Sequence, residues 1–368
     1  MSPPVSIAHL ASRPDLDNPG PLPYVIAGPC SAESEQQVLQ AARALADVPG
    51  VKAFRAGVWK PRTRPNTFEG IGDDALHWLE AAKAETGLAV AIEVANAAHV
   101  EAALRHGVDI FWIGARTTTN PFSVQEIADS LRGVDLPVWV KNPVNPDVQL
   151  WLGALERVNK AGITRLGAIH RGFTSSEKMA YRNAPKWEIV IELRRLVPDL
   201  PVLCDPSHIA GRTDVLRTLS QKALDLAMSG LMIEVHPEPE KAMSDAKQQL
   251  RPDELARLLG SLHLREEGSS VLRTDSRLQE LRVQSNAIDY ELLETLARRM
   301  HVVKEIGQVK KEHNLTILQV QRWQEVLRDR LEKAGDLGLD TTLVRAIYEL
   351  LHEHAIALQS EVMNDLKT

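Results

Sequence analysis

Cysteine is scarce: two residues, Cys30 and Cys204, in a chain of 368, each inside an apolar run rather than a loop. That rules out a disulfide framework and fits a reducing, cytoplasmic setting. Aromatic residues make up only 4% of the chain, but 44% apolar and 25% charged residues fall in the ordinary globular range, which excludes disordered and fibrous classes. No basic arm or stripe is present and the formal net charge is -6, so neither nucleic acid nor an anionic membrane has an electrostatic footprint. Roughly the first twenty residues lack the basic start and apolar core of a secretory leader, and no run is long enough to span a bilayer. Small molecules remain as the expected partners.

What is present is a repeat. From Tyr24 to about Leu262, short runs rich in Val and Ile alternate with longer amphipathic stretches, the pattern of strand and helix units around a parallel sheet. Eight runs begin at Tyr24, Lys52, Leu88, Ile110, Pro137, Arg165, Pro201 and Gly230. Each starts apolar and ends polar or charged. In an open doubly wound sheet only some strand ends face the ligand, whereas a (β/α)8 barrel uses all of them, so the α/β class with a closed barrel is expected. After Leu262 no strand-like run follows. The length exceeds that of one core, and the chain divides into a barrel over 1-262, a linker over 263-274 and a small all-helical domain over 275-368.

Two constellations stand at the run ends. Cys30, His208, Glu234 and Asp245 together offer a thiolate, an imidazole and two carboxylates, a set that suits Mn, Fe, Co or Zn better than Ca or Mg. Taken singly, Cys30 reads equally as a small buried hydrophobe and His208 as a helix-capping or core histidine. The second set is cationic: Arg55, Lys60, Arg62, Arg116, Lys141 and Arg171. Lysine and arginine are ordinarily solvated, but six on one rim would grip carboxylate and phosphate groups.

The motifs AGPCSAES (from Ala27), FRAGVWKPRT (Phe54), IGARTTTN (Ile113), VKNP (Val140), HRG (His170), DPSH (Asp205) and EVHPEPEKAMSDAKQ (Glu234), in this order, resemble the type I 3-deoxy-D-arabino-heptulosonate 7-phosphate (DAHP) synthase family. The resemblance implies Cys30, His208, Glu234 and Asp245 as ligands of a divalent metal, Mn2+ in the first place. It implies Arg55, Lys60, Arg116, Lys141 and Arg171 as the phosphoenolpyruvate site, and Lys60, Pro61, Arg62 and Thr63 as the erythrose 4-phosphate site. Lys141 and His208 would handle protons. The related 3-deoxy-manno-octulosonate 8-phosphate synthases typically read KANRTS or KANRSS at the last place, so Lys60-Pro61-Arg62-Thr63 favours the four-carbon aldose.

In the helical part, Leu278, Leu281, Ile288, Leu292, Val302, Ile306 and Val309 repeat at three-and-four spacing, with Arg299 on the same stripe. Arg299 either snorkels from a bundle edge or is buried to meet an anion. Lys310 follows on nearly the same face. The segment resembles the all-helical chorismate mutase family, which implies Arg282, Arg299 and Arg322 on the carboxylates of chorismate and Lys310 and Gln359 on its ether oxygen. It departs from the common pattern at Gln319, Trp323 and Ala355, where an acid, a glutamate and a serine are frequent. Arg282 and Arg299 are seventeen residues apart, about 25 Å of helix, too far to share one ligand within one straight helix. If both serve one site, Arg282 comes from a second chain and the protein is a homodimer. Placing both activities in one chain suggests feedback on the barrel by prephenate or chorismate. The other readings are a DAHP synthase whose helical domain is a silent dimerisation and sensing module, and a barrel that makes the eight-carbon sugar acid.

Overall fold

The computed structural model describes residues 7, 10, 11, 22-60, 68-175, 179-265 and 276-364. Two compact units divide the chain at residues 267 and 268.

The first unit is a closed parallel barrel of eight strands in sequential order. Its elements are β1 (Tyr24–Gly28), α1 (Glu35–Ala46), β2 (Val51–Arg55), α2 (Asp74–Thr86), β3 (Ala89–Val94), α3 (Ala97–Arg105), β4 (Ile110–Ile113), α4 (Ala115–Thr118), α5 (Pro121–Ser130), β5 (Val138–Lys141), α6 (Val148–Lys160), β6 (Leu166–His170), α7 (Trp187–Leu196), β7 (Val202–Cys204), α8 (Pro206–Ala210), α9 (Leu216–Asp225), β8 (Gly230–Glu234) and α10 (Pro252–Gly260). The eight apolar runs of the sequence are these eight strands. Asn96, Asn120 and Asp147 cap α3, α5 and α6 with side-chain oxygens that accept backbone N–H groups, which fixes where each helix starts.

Successive strand residues point to opposite faces, so each strand feeds two cores. Residues such as Val25, Phe54, Val140 and Ile233 pack outward against the helices. Tyr24, Ile26, Ala53, Ala91, Ile110, Trp112, Trp139, Ile169, Leu203 and Met232 fill the interior. Gly167 makes room for Trp139: a Cβ there would lie 2.2 Å from the indole ring. Two residues beyond this interior layer, the same alternation yields Gly28, Arg55, Glu93, Gly114, Lys141, Arg171, Asp205 and Glu234. A barrel with an apolar floor therefore has a charged layer at the carboxyl ends of its strands.

The second unit holds α11 (Ser276–Glu312), α12 (Val320–Asp336) and α13 (Thr341–Met363), with both α11 and α12 packed on α13. The apolar stripe expected on α11 is not the face covered within the chain. Leu281, Ile288, Leu292, Val302, Ile306 and Val309 are all exposed, whereas Val303 and Gly307 are buried. Gly307 lets α13 approach closely, since a Cβ on it would lie 3.2 Å from Cγ of Gln359. Among the described residues, no helix is long and apolar enough to cross a membrane.

Candidate active sites

The charged layer of the barrel is wired internally. Arg55, 1% exposed, places Nη2 3.2 Å from Oε1 of Glu234 and 3.4 Å from the carbonyl of Cys30. Its Nε and Nη1 are buried without a hydrogen-bond partner among the described residues. Lys141 donates to Oδ2 of Asp205 at 2.8 Å, and both Arg55 and Lys141 lie over the ring of Trp112, 5.0 and 5.7 Å from its centroid. Trp112 in turn donates to Glu93 at 2.9 Å. Gly28 and Gly114 keep the layer open: a Cβ at either would lie 2.0 Å from the Arg55 carbonyl or from Oε1 of Glu93. Arg171 is half-buried, and burial lowers its pKa to about 10, with Arg182 and Arg116 pushing the same way against Asp205. Guanidinium groups crowded and desolvated in this manner match a polyanionic ligand, because each fork is satisfied by two oxygens.

Beside these cations lies a set of metal-ligating groups. Ligand atoms of Cys30, Glu234 and Asp245 all fall within 4.8 Å of one another. Sγ of Cys30 is 3.4 Å from Oδ2 of Asp245 and 3.0 Å from Nζ of Lys60. His208 stands at the edge of this group, its Nε2 3.7 Å from Oε1 of Glu234 and its Nδ1 2.8 Å from Oδ2 of Asp205. Asp205 also caps α8 by accepting the His208 N–H at 3.0 Å, so one carboxylate fixes both the backbone and the ring. Asp245 is in the loop after β8, with a left-handed backbone (φ 49°), rather than at a strand end. Burial, reinforced by Glu234, pushes the Cys30 thiol up to about 12. Burial also disfavours charge on Glu234 and Asp245. His208 and Arg55 for the first, and Arg182 and His208 for the second, outweigh it and hold both carboxyls below their ordinary range. Oε1 of Glu234 accepts no hydrogen bond among the described residues. The donors fit a borderline divalent cation, whose charge would deprotonate the thiol and occupy that oxygen.

The barrel brings Cys30, Arg55, Lys60, Lys141, Arg171, His208, Glu234 and Asp245 to one end. Arg116 sits in α4 and is exposed, close enough to Arg171 to affect its charge. Pro61, Arg62 and Thr63 lie outside the described residues. A cavity of about 180 Å³ is lined by Trp59, Lys60, Glu69, Glu93, Ala95 and His99. Several participants carried no assignment in the sequence: Asp205, Trp112, Arg182, which donates to Asp245 at 2.9 Å, and Gln248, which donates to Glu234 at 2.6 Å. Asp205 and Gln248 fall inside recognised motifs, whereas nothing in the sequence ties Arg182 to Asp245.

In the helical unit, Gln359 is 8% exposed, and among the described residues neither its Oε1 nor the buried Nη1 of Arg299 has a hydrogen-bond partner. Nζ of Lys310 donates to the Ile317 carbonyl at 2.5 Å. His352 stacks on Trp323, centroids 3.9 Å apart and planes 5° off parallel. Burial lowers the His352 pKa, and the charges of Arg299 and Lys310 lower it further, which places these three residues together. Arg322 and Arg282 are exposed, the former beside Glu325 at 3.4 Å. Arg299 and Lys310 thus lie within electrostatic reach of His352, and Gln359 packs against Gly307 of α11.

The chain was compared with known proteins. The DAHP synthetase I family model matches residues 19–267, and the chorismate mutase type II model matches residues 281–360. Phospho-2-dehydro-3-deoxyheptonate aldolase from Thermotoga maritima is 36% identical over 226 residues, covering 61% of this chain but only 64% of its own length. A 2-dehydro-3-deoxyphosphooctonate aldolase from Syntrophotalea carbinolica is 27% identical over 262 residues, covering 64% and 87%. The solved structure of the Thermotoga maritima DAHP synthase superposes with a TM-score of 0.57 at 33% identity, over 64% of this chain and 66% of that one. A charged barrel mouth, its thiol and carboxylate cluster and both family matches agree: the chain belongs to the DAHP synthetase I family and carries a chorismate mutase type II segment after the barrel.

Proposed function

We propose that the barrel condenses phosphoenolpyruvate with erythrose 4-phosphate to give DAHP and phosphate, and that the helical unit rearranges chorismate to prephenate. The observation that carries the first part is Arg55, a buried guanidinium with two unpartnered nitrogens beside the Cys30, Glu234 and Asp245 cluster. Arg55, Lys60, Arg116, Lys141 and Arg171 hold the carboxylate and phosphate of phosphoenolpyruvate, and Lys60 with Pro61, Arg62 and Thr63 receives the aldose. Cys30, His208, Glu234 and Asp245 hold the divalent cation, Mn2+ with Fe2+, Co2+ and Zn2+ as alternatives. When bound, such a cation supplies Lewis-acid polarisation of an aldehyde oxygen. C3 of phosphoenolpyruvate attacks the aldehyde carbon, water adds at C2, and the C–O bond to phosphate breaks. The Arg and Lys clamp fixes the geometry and stabilises charge moving onto the departing phosphate. Proton transfer falls to Lys141, and to His208 only while its Nε2 is off the cation, since its Nδ1 lies 2.8 Å from Asp205.

For the mutase, Lys310 and Gln359 hydrogen-bond the ether oxygen while Arg299, Arg322 and a second chain's Arg282 hold the carboxylates. The apolar row of α11, exposed among the described residues, supports dimerisation with a second copy. Prephenate or chorismate bound there acts back on the barrel across the linker at 263-274, and the enzyme works in the cytoplasm. Supplying arabinose 5-phosphate in place of erythrose 4-phosphate tests the sugar: activity with the pentose alone overturns the assignment. Conversion of chorismate to prephenate by the full chain separates a working mutase from a silent sensing module. Inhibition of condensation by added prephenate tests the feedback.

A further inference from the structure

Another cluster of metal-ligating side chains lies on the outer helices of the barrel. His77 and Glu80 are one turn apart on α2 and so share a helix face. His106 ends α3 as its C-cap. Nδ1 of His77 is 3.3 Å from Oε2 of Glu80, and Nδ1 of His106 is 3.1 Å from Oε1 of the same carboxylate. The two imidazoles meet edge to face with centroids 4.5 Å apart, and one ligand atom from each of the three residues lies within 4.8 Å of the others.

We propose that His77, Glu80 and His106 form a second metal site, for a borderline first-row cation of the Zn2+ class, with water completing the shell. Two imidazoles and a carboxylate suit Zn2+, Cu2+, Ni2+ or Co2+ and disfavour Ca2+ and Mg2+, which select oxygen alone. Metal–ligand bonds of about 2.1 Å in a tetrahedron separate the ligand atoms by about 3.4 Å, and the three ligand atoms here lie within 4.8 Å of one another, so closing on a cation shortens a separation by about 1.4 Å at most.

The site is built by the fold and not by chance rotamers. Lys83, one turn beyond Glu80 on α2, donates to the Gly107 carbonyl at 2.8 Å and to Oδ1 of Asp109 at 2.6 Å. The other oxygen of Asp109 accepts the N–H of Val90 in β3 at 2.9 Å. These bonds fasten the turn that carries His106 onto α2 and onto the barrel. The His106 side chain is 19% exposed and the His77 side chain 69%, so His106 and Glu80 form the fixed half and His77 the half that closes. A cation bridging α2 and α3 stabilises the folded chain in proportion to its occupancy. None of the three residues belongs to either active site.

The test uses the full-length, untagged protein carrying Cys30→Ala, which removes a donor from the barrel cluster. Metal-stripped protein is titrated with ZnCl2, and zinc per chain and Kd are read by calorimetry and elemental analysis. The same protein with His106→Gln or His77→Gln added is expected to hold one zinc fewer per chain, or to bind that zinc at least tenfold more weakly. Metal-free melting temperatures of all variants serve as the folding control, and zinc should raise the melting temperature more in the protein with the triplet intact than in either histidine variant. Zinc stoichiometry, affinity and melting shift that are unchanged by both histidine substitutions overturn the proposal.

Discussion

Asp205→Asn probes the wiring of the barrel site most sharply. Asp205 is fully buried, and its Oδ2 lies 2.8 Å from both Nζ of Lys141 and Nδ1 of His208. Burial works against its charge, yet His208 and Lys141 hold the carboxyl well below its ordinary range. Asparagine keeps the shape and, through Oδ1, the cap on α8, because the two residues cap equally well. What it removes is the counter-charge of a lysine that is 4% exposed. Leaving such a charge unpaired costs about 3–5 kcal/mol, a large part of the roughly 5–15 kcal/mol that holds a domain together. The assay is urea unfolding followed by tryptophan fluorescence, to which Trp112 and Trp139 inside the barrel contribute, with Lys141→Met and the double variant completing a cycle. The double variant should be less destabilised than the sum of the two singles by at least about 2 kcal/mol. Additivity of the two to within about 0.5 kcal/mol would refute the idea that the pair is held by charge.

His170 faces outward from β6 among Trp151, Phe173 and Trp187, and burial lowers its pKa to about 3 from 6.5. The unfolded chain takes up that proton first as pH falls, so His170 should cost about 2 kcal/mol of stability between pH 7.5 and pH 5. Urea midpoints at the two pH values should show this loss in the parent and a shallower one in His170→Gln. Gly167→Ala places a Cβ against the Trp139 ring and is expected to destabilise by about 1–3 kcal/mol, read as a lowered melting temperature. Gln359→Ala should slow chorismate turnover about a hundredfold while leaving the melting temperature nearly unchanged, since its Oε1 makes no hydrogen bond among the described residues. An equal loss in both readouts would make Gln359 structural.

What could be read from the sequence was whatever is periodic or local. Strand alternation carried Ile26, Trp139 and Met232 inward and put Arg55, Lys141 and Glu234 one layer above, so the barrel and its charged end were both legible. Partnerships across strands were not: Lys141 and Asp205 are 64 residues apart, Arg182 and Asp245 63. The space that Gly167 leaves for Trp139 likewise belongs to two strands at once. Arg116 was read as a strand-end residue, but β4 ends at Ile113 and presents Gly114 to the layer, leaving Arg116 on a short helix. On α11 the three-and-four spacing identified an amphipathic helix correctly. It could not say which apolar face its own chain covers, and the answer was Val303 and Gly307.

Condensation at the barrel mouth should depend on a divalent cation. Phosphate release from phosphoenolpyruvate and erythrose 4-phosphate by the full chain, measured before chelation, after chelation and after adding Mn2+ back, tests it directly. Release should require both substrates, stop with the chelator and return with the metal in the parent but not in Cys30→Ala. Release that is indifferent to chelation, or equal in Cys30→Ala, would contradict it.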